Sequence, residues 1–165
     1  MHPDRFKIDK KVSLGLEKRY DIFMKVVIQR VKKASVSIND KVIAKINEGL
    51  LLLVAFENTD QEKIKLMAEK ILQLRIFSDK MEKMNLSLLD IKGEILVVPQ
   101  FTLMADCSRG NRPYFGNVAP PEIAEELFNR SVTELRKSEL IVEMGRFGDR
   151  ILLTLTNDGP ITIIL

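Results

Sequence analysis

The regular part of the chain begins with short apolar runs that are separated by turn residues. These runs lie at residues 25–31, 34–38, 41–46 and 50–56. In the second run, Val36 and Ile38 alternate with serines, which places both side chains on one face of a strand. The pair Asn39-Asp40 is typical of a tight hairpin turn. We therefore predict four early strands that pair in antiparallel fashion.

Two later stretches have apolar residues at helical spacing. The first helix is predicted to be capped by Thr59 or Asp60. Its apolar positions are Ile64, Met67, Ala68, Ile71 and Leu74. The second helix is predicted to begin at Pro120-Pro121, because proline is favoured in the first turn of a helix. Most of its apolar stripe consists of Ile123, Leu127, Val132 and Leu135.

A strand buried on both faces is predicted in the middle of the chain, at residues 95–98. Pro99 ends this run because it has no N–H to give to a sheet, and Gln100 and Thr102 then follow on either side of Phe101. An amide and a hydroxyl at the end of a buried strand are typical of the wall of a site. An ordinary strand end has the same pattern, so these residues alone leave both interpretations open.

The remainder of the chain alternates strands with loops. Further strands are predicted at residues 75–77, 140–144, 150–156 and 161–165, with turns at 90–93 and at Asn157-Asp158-Gly159-Pro160. The loop at residues 104–116 contains Arg109 and Arg112, followed by Tyr114 and Phe115. Guanidinium groups beside aromatic rings suit contacts with phosphates and nucleobases, and a solvated loop is the alternative.

Composition indicates one folded unit preceded by a stretch of different character. The 165 residues are 45% hydrophobic and 30% charged, which is the mix of a globular protein with one core. Residues 1–23 are basic and poor in apolar positions, so we interpret them as an N-terminal extension, or as the product of a mis-assigned start upstream of Met24, with at most a short helix at 14–20. A nucleic-acid-binding arm is the alternative. Residues 24–165 are predicted to form one compact α+β domain.

Composition also disfavours several kinds of site. The one cysteine, Cys107, excludes an intrachain disulfide and a cysteine metal cluster, and the one histidine, His2, lies at the terminus. Histidine-dependent hydrolysis and histidine-ligated zinc are therefore disfavoured. Any catalysis is expected to use backbone groups, hydroxyls, carboxylates or the substrate itself, with no metal and no cofactor.

The expected location is the cytoplasm. No apolar run approaches the roughly 20 residues that span a bilayer, and the N-terminus lacks a signal-peptide pattern. We therefore expect no membrane partner. The net charge of +3 is only mildly basic, and it suits a protein that meets a short piece of nucleic acid without requiring one.

Segments spread over nearly the whole of residues 24–165 carry a resemblance to a known family. They lie at residues 28–31, 34–36, 47–51, 74–77, 83–86, 97–98, 100–103, 109–110, 112–113, 145–147 and 157–162. They include the two motifs Gln100-Phe101-Thr102 and Gly159-Pro160. Each segment is weak alone, but so many in one order are highly specific. The chain resembles the D-aminoacyl-tRNA deacylases of bacteria and eukaryotes.

The resemblance implies a homodimeric proofreading enzyme that hydrolyses the ester between a D-amino acid and the 3′-terminal adenosine of tRNA. It also implies two main helices around a barrel-like core of antiparallel and mixed β-sheets. In the family, main-chain N–H groups near Phe101 and Thr102 face the substrate, and the 2′-OH of the tRNA helps to activate water. The resemblance further implies that the peptide bond between Gly159 and Pro160 is cis, that this motif reaches into the partner's site, and that Arg30 helps to hold the loop.

Two mechanistic expectations follow. The hydroxyl of Thr102 is a weak nucleophile without an adjacent base, so we predict that Thr102 positions the substrate. If the carbonyl groups of Gly159 and Pro160 crowd the Cα of the amino acid, an L side chain is excluded, whereas D residues and glycine enter. Mischarged glycyl-tRNA is then expected to be a substrate as well. The aminoacyl-tRNA acceptor end is the expected partner, with Arg109 and Arg112 as candidate contacts.

The chain departs from the family pattern at two positions. Pro99 replaces the usual serine, as in animal relatives of relaxed chirality that edit wrongly attached L-alanine, although those relatives have a small residue at the place of Phe101. Ala55 replaces a usual glycine. A relaxed-chirality deacylase that edits L-alanyl-tRNA is therefore one alternative. A tRNA acceptor-end binding module without hydrolysis is another, and the retained motifs argue against it.

Overall fold

The computed structural model of the protein describes residues 24–57 and 63–165. The predicted extension at residues 1–23, its helix at 14–20, His2, and the helix cap at Thr59 or Asp60 lie outside the described residues. Within them the protein combines a mixed β-sheet with helices, which confirms the predicted α+β class.

The main sheet contains β1 (Met24–Ile38), β2 (Lys41–Ile46), β3 (Gly49–Phe56), β6 (Glu94–Pro99), β7 (Val142–Met144) and β8 (Leu152–Ile164). A small hairpin contains β4 (Phe77–Ser78) and β5 (Met84–Leu86). The helices are α1 (Lys63–Gln73), α2 (Leu88–Ile91), α3 (Pro121–Arg136) and a 3₁₀ helix at Phe101–Met104. The two main helices predicted from the sequence are α1 and α3.

Strand β1 organises the main sheet. It pairs in antiparallel fashion with β2 and β3, and with β8 along its other edge, while β6 lies parallel between β3 and β7. The antiparallel pairing predicted for the early strands is therefore confirmed. The sheet curves into a nearly barrel-shaped body, as the family resemblance implied.

The two faces of the sheet have separate hydrophobic cores. One face packs against α1 and α3, with Ile28, Leu52 and Val97 among its buried residues. The other face lines the inside of the curved sheet, where Leu96 and Val98 are buried. Because alternate residues of β6 enter different cores, the strand is apolar throughout, as the run at residues 95–98 predicted.

Gly49 lets β6 approach β3 closely. A Cβ atom at Gly49 would overlap the main-chain carbonyl oxygen of Glu94, so only glycine fits at this strand start. The carboxylate of Glu94 in turn accepts hydrogen bonds from the main-chain N–H of Asn47 at 2.7 Å and from its side-chain amide at 3.1 Å. These contacts fix the beginning of β6. They therefore also fix the register of β6 against β3 up to Pro99.

Some local predictions are wrong in detail. The runs at residues 25–31 and 34–38 form the single strand β1, and the turn predicted at 90–93 overlaps the short helix α2, which a capping box between Ser87 and Asp90 starts. Ile123 was predicted in the apolar stripe of the second helix but is 43% exposed. The buried stripe of α3 runs instead through Ala124, Leu127, Phe128, Ser131, Val132 and Leu135.

The predicted turn at residues 157–160 is also wrong, because it lies within the continuous strand β8. Thr162 pairs with Gln29 and Asn157 pairs with Val31 on the same partner strand. Four residues, 158–161, therefore stand opposite Arg30 alone. We call this segment the 158–161 bulge. A bulge changes the direction of side chains and disrupts the pairing only locally. Strand β8 therefore continues on both sides of it.

Candidate active site

The segment formed by Gln100, Phe101 and Thr102, which we call the 100–102 turn, begins where β6 leaves the sheet. Pro99 is the last residue in register with β3, where it pairs with Val54. The main-chain N–H of Gln100 then donates to the carbonyl oxygen of Val54 at 2.7 Å, and Gln100 turns the chain with φ −145° and ψ 74°. The chain passes directly into the 3₁₀ helix, so a buried strand delivers this turn to the surface.

The main-chain N–H groups of Phe101 and Thr102 are the first two of the 3₁₀ helix. Intrahelical bonding starts only afterwards, when Leu103 donates to the carbonyl of Gln100 at 3.2 Å and Ala105 donates to that of Thr102 at 3.1 Å. In the described part of the chain, neither leading N–H has an acceptor, as expected at a helix start. Both residues are exposed, so these two donors are available to an oxygen of a ligand.

The side chains of the turn contact one another rather than a titratable partner. The amide Nε2 of Gln100 donates a hydrogen bond to the hydroxyl Oγ1 of Thr102. Among the described residues no carboxylate or imidazole bonds to that hydroxyl. The ring of Phe101 is 56% exposed and meets Phe115 edge-on, with 5.2 Å between the centroids. Lys25 reaches across from β1 and donates from Nζ to the carbonyl of Leu103 at 3.3 Å.

The 158–161 bulge has a cis peptide bond between Gly159 and Pro160. Gly159 has φ of 125°, in the region that favours glycine, and a Cβ there would lie 2.8 Å from Cγ1 of Ile161. Asn157 closes the base of the bulge, because its Oδ1 accepts from the main-chain N–H of Ile161 at 2.9 Å. Gly159 and Pro160 are both exposed, so the bulge presents its tip to its surroundings.

Arg30, on the neighbouring strand β1, bonds to Asp158 of the 158–161 bulge. Its Nε lies 3.2 Å from the carbonyl oxygen of Asp158, to which it donates, and 3.1 Å from the Oδ2 of the same residue. A second guanidinium nitrogen donates to the carbonyl of Ile76 at 2.6 Å, and the guanidinium lies 6.0 Å above the ring centroid of Phe77. The arginine is only 8% exposed, and these neighbours accept hydrogen bonds from two of its three guanidinium nitrogens.

A second, exposed cation extends this contact. Nζ of Lys32 lies 3.4 Å from Oδ2 of Asp158 and 2.7 Å from Oε1 of Glu48. The hydrogen bond to Glu48 raises the pKa of the Lys32 ammonium. Arg30, Lys32, Glu48 and Asp158 line a cleft of about 400 Å³ together with Phe77, Ser78 and Ile91.

The sequence analysis did not identify Lys32, Glu48 or the carboxylate of Asp158 as part of a site. The available signal was Arg30, a charged residue on the same strand as the buried apolar residues Ile28 and Val31. Because a buried arginine is rarely left without a partner, this position indicates that an opposite charge lies nearby. Sequence alone does not say that the opposite charge belongs to a residue more than 120 positions away.

The two motifs lie at different strands of the main sheet. The bulge on β8 stands opposite Arg30, whereas Gln100 follows β6 and donates to Val54, which pairs with Val26. The lateral order β8, β1, β3, β6 separates them by three strand spacings, and Arg30 is four residues along β1 from Val26. With a spacing of about 4.8 Å and a rise of about 3.3 Å per residue, the path along the sheet between the two segments is about 20 Å.

Arg109 and Arg112 are exposed in the loop that follows the 3₁₀ helix. A β-bridge closes this loop, because Asp106 and Tyr114 exchange two main-chain hydrogen bonds of 2.8 and 2.9 Å. Hydrogen bonds from Ser108 lower the pKa of the Asp106 carboxyl. The loop therefore lies beside the 100–102 turn, through the contact of Phe115 with Phe101, and carries two cations.

Within residues 24–57 and 63–165, no three histidine, cysteine, aspartate or glutamate side chains come together in an arrangement that could hold a metal ion. In the same ranges, each helix is too short or too polar to cross a membrane.

Comparisons with known proteins agree on one family. Residues 27–165 match the family model described as D-Tyr-tRNA(Tyr) deacylase. Relatives named D-aminoacyl-tRNA deacylase are 50% identical over 143 residues in Thermosipho africanus and 52% identical over 145 residues in Flavobacterium psychrophilum. Each of these alignments covers 86% of this chain and 96% of the relative.

Two solved structures have the same fold. One, titled "c-Myc DNA Unwinding Element Binding Protein", is 39% identical with a TM-score of 0.80, over 86% of this chain and 97% of the other. The other, titled as a probable eukaryotic D-amino acid tRNA deacylase, is 19% identical with a TM-score of 0.76, over 86% and 98% of the two chains. On the family match and these sequence identities, the chain belongs to the D-aminoacyl-tRNA deacylase family.

Proposed function

We propose that this protein hydrolyses D-aminoacyl-tRNA at a site that the 100–102 turn of one subunit forms with the 158–161 bulge of a second. The activity itself follows from membership of the deacylase family, and it releases a free amino acid and tRNA. It thereby removes wrongly attached D-amino acids before translation uses them. The observation that carries the residue assignment is the pair of unpartnered main-chain N–H groups at Phe101 and Thr102.

These two donors suit the chemistry of an ester. When water attacks the ester carbonyl, negative charge develops on its oxygen, and N–H groups fixed in advance stabilise that charge at little reorganisation cost. One such donor is worth about 10²- to 10³-fold in rate in other hydrolases. The ester is already activated, so positioning and charge stabilisation supply much of the acceleration. The 2′-OH of the terminal adenosine then assists the attacking water.

Thr102 acts by positioning in this proposal. Its hydroxyl accepts a hydrogen bond from Gln100, and in the described part of the chain no base lies within bonding distance to remove its proton. A threonine hydroxyl without such a base is a weak nucleophile. The contact between the Gln100 amide and Thr102 instead holds both side chains beside the two N–H donors.

The distance between the motifs supports a site shared by two subunits. About 20 Å of sheet separates the 100–102 turn from the bulge of the same chain, by strand spacing and rise. Both segments are exposed, so each is free to meet the other segment of a second copy. In a twofold dimer such a contact occurs twice, which gives two equivalent sites.

The bulge supplies the chiral selection. Its carbonyl groups would occupy the space of an L side chain, and rejection by a wall of main chain needs no recognition of the side chain itself. D-amino acids of many kinds and glycine are therefore accepted. The acceptor end of the tRNA lies along the loop that carries Arg109 and Arg112, and residues 24–165 form the working unit in the cytoplasm.

Deacylation of D-, L- and glycyl-tRNA by one preparation tests the selectivity. We expect rapid release from D-aminoacyl-tRNA and glycyl-tRNA and very slow release from L-aminoacyl-tRNA. L-alanyl-tRNA is included as a substrate because Pro99 and Ala55 depart from the family pattern. If L-alanyl-tRNA were the one L-aminoacyl-tRNA to be hydrolysed rapidly, the protein would be the relaxed-chirality enzyme instead. Binding of tRNA without any release would identify a binding module.

A mixed dimer tests the shared site. One subunit carries Gly159→Ala, which alters the bulge, and the other carries Phe101→Pro, which removes an N–H donor. If the bulge acts in the partner's site, the mixed dimer has one intact site and regains D-selective hydrolysis. If the bulge acts within its own subunit, the one subunit with an intact turn also carries Gly159→Ala, and hydrolysis stays unselective. A monomer in solution that is fully active would also overturn the shared site.

A further inference from the structure

Tyr114 lies in the loop after the 3₁₀ helix and is 67% exposed, which is unusual for an aromatic ring held at a fixed place. Its main chain is anchored by the β-bridge to Asp106, with hydrogen bonds of 2.8 and 2.9 Å. Asp106 is itself fixed, because its carboxylate accepts from the main-chain N–H of Ser108 at 2.9 Å. The backbone that carries the ring is therefore well defined although the ring is open to solvent.

Gly116 gives the ring its place. A Cβ atom at residue 116 would overlap the hydroxyl, Cζ and Cε1 of Tyr114, so the ring lies directly against the main chain of this glycine. Glycine leaves room for that contact, while the tyrosine as a whole stays largely exposed. The result is a flat aromatic surface that is oriented before any ligand arrives, which lowers the entropy lost on binding.

The surroundings of this ring fit a nucleic acid. Tyr114 is adjacent to Phe115, whose ring lies 5.2 Å from that of Phe101 in the 100–102 turn. Arg109 and Arg112 are exposed in the same loop, and in the described part of the chain neither forms an ion pair. The one acid in this loop is already engaged with Ser108. Positive charge beside an exposed ring complements a phosphate chain that carries stacked bases.

We propose that Tyr114 stacks on the nucleobase that precedes the terminal adenosine in the single-stranded acceptor end of tRNA, with Arg109 and Arg112 contacting its phosphates. This inference rests on the proposed function, since it requires the terminal adenosine at the 100–102 turn. Aromatic stacking accepts any base, so the contact adds affinity for tRNA without selecting among tRNA species. It distinguishes the tRNA ester from esters of adenosine alone.

The test compares two substrates, D-aminoacyl-tRNA and D-aminoacyl-adenosine, with kcat/KM measured on each. In Tyr114→Ala the ratio of kcat/KM on tRNA to that on the adenosine ester is expected to fall about 5- to 150-fold, since stacking of one base has that worth. Tyr114→Phe keeps the ring and is expected to keep the ratio. Leu66→Ala, which removes a 64% exposed apolar side chain from α1, is the matched control.

A third substrate isolates the stacked base. With D-aminoacyl-tRNA that lacks the base before the terminal adenosine, wild type and Tyr114→Ala are expected to be equally slow. Equal losses on tRNA and adenosine esters would overturn the stacking role, as would an unchanged ratio or a defect that persists on the abasic tRNA. Failure of the proposed function is a different result, because wild type would then cleave neither ester.

Discussion

The 100–102 turn and the 158–161 bulge are shaped by different means. Main-chain bonds fix the turn: Gln100 donates to Val54, and the 3₁₀ helix begins directly after it. Side chains fix the bulge, because Arg30 bonds to Asp158 from below and Asn157 closes its base. The turn should therefore tolerate changes of side chain and respond to loss of an N–H, whereas the bulge should respond to single side chains.

Loss of an N–H in the turn should have the largest effect. Phe101 is the first residue of the 3₁₀ helix and follows a residue with non-helical dihedral angles, so Phe101→Pro fits the backbone and removes one donor. Relative to Phe101→Ala, which removes only the ring, we expect kcat to fall about 10²- to 10³-fold. The rate constant of ester hydrolysis in the bound complex is measured under single-turnover conditions. Equal rates in the two variants would show that this N–H does not stabilise the transition state.

Gly159→Ala should change selectivity more than rate. The added Cβ would lie 2.8 Å from Cγ1 and 3.1 Å from the main-chain nitrogen of Ile161, and φ of 125° disfavours alanine, so the bulge must change shape. We expect the ratio of D- to L-aminoacyl-tRNA hydrolysis to fall about 10- to 100-fold, which is typical of altered steric discrimination. An unchanged ratio with normal hydrolysis would remove the bulge from the selective step.

Arg30→Met should affect the bulge less strongly. It keeps the length of the side chain but leaves the carbonyl groups of Asp158 and Ile76 without their donor. We expect a loss of about 2 kcal/mol in unfolding free energy, measured by denaturant titration, and about a tenfold lower D-to-L ratio. Lys32→Met is the control, since this exposed ion pair should contribute about 0–1 kcal/mol. Equal effects of the two substitutions would contradict the leading role of Arg30.

Thr102→Ala should have the smallest effect. It keeps the main-chain N–H and removes a hydroxyl that no base activates in the described structure. We expect most single-turnover activity to remain, with a loss of less than about tenfold. A loss above about a thousandfold would instead indicate a covalent route through the Thr102 hydroxyl.

Much of the local structure was predictable from the sequence. Asn39 and Asp40 form the expected hairpin turn with φ of 46° and 62°, and α3 begins at Pro121 in the expected way. In each case a few adjacent residues decide the backbone. The prediction of a turn at residues 157–160 failed because residue types favoured in turns indicate only the local dihedral angles of the chain. They do not indicate that the segments on both sides pair with β1, and this pairing makes the same residues a bulge.

Residue types alone predicted the apolar strand that ends at Pro99 and led to the expectation that hydrolysis does not depend on histidine. Tertiary structure decided that Arg30 meets Asp158, 128 positions away, and that about 20 Å of sheet, by strand geometry, separates the two motifs of one chain. The reason is that strand register and pairing order set such distances. They depend on how the whole chain packs, while local dihedral preferences depend on neighbouring residues.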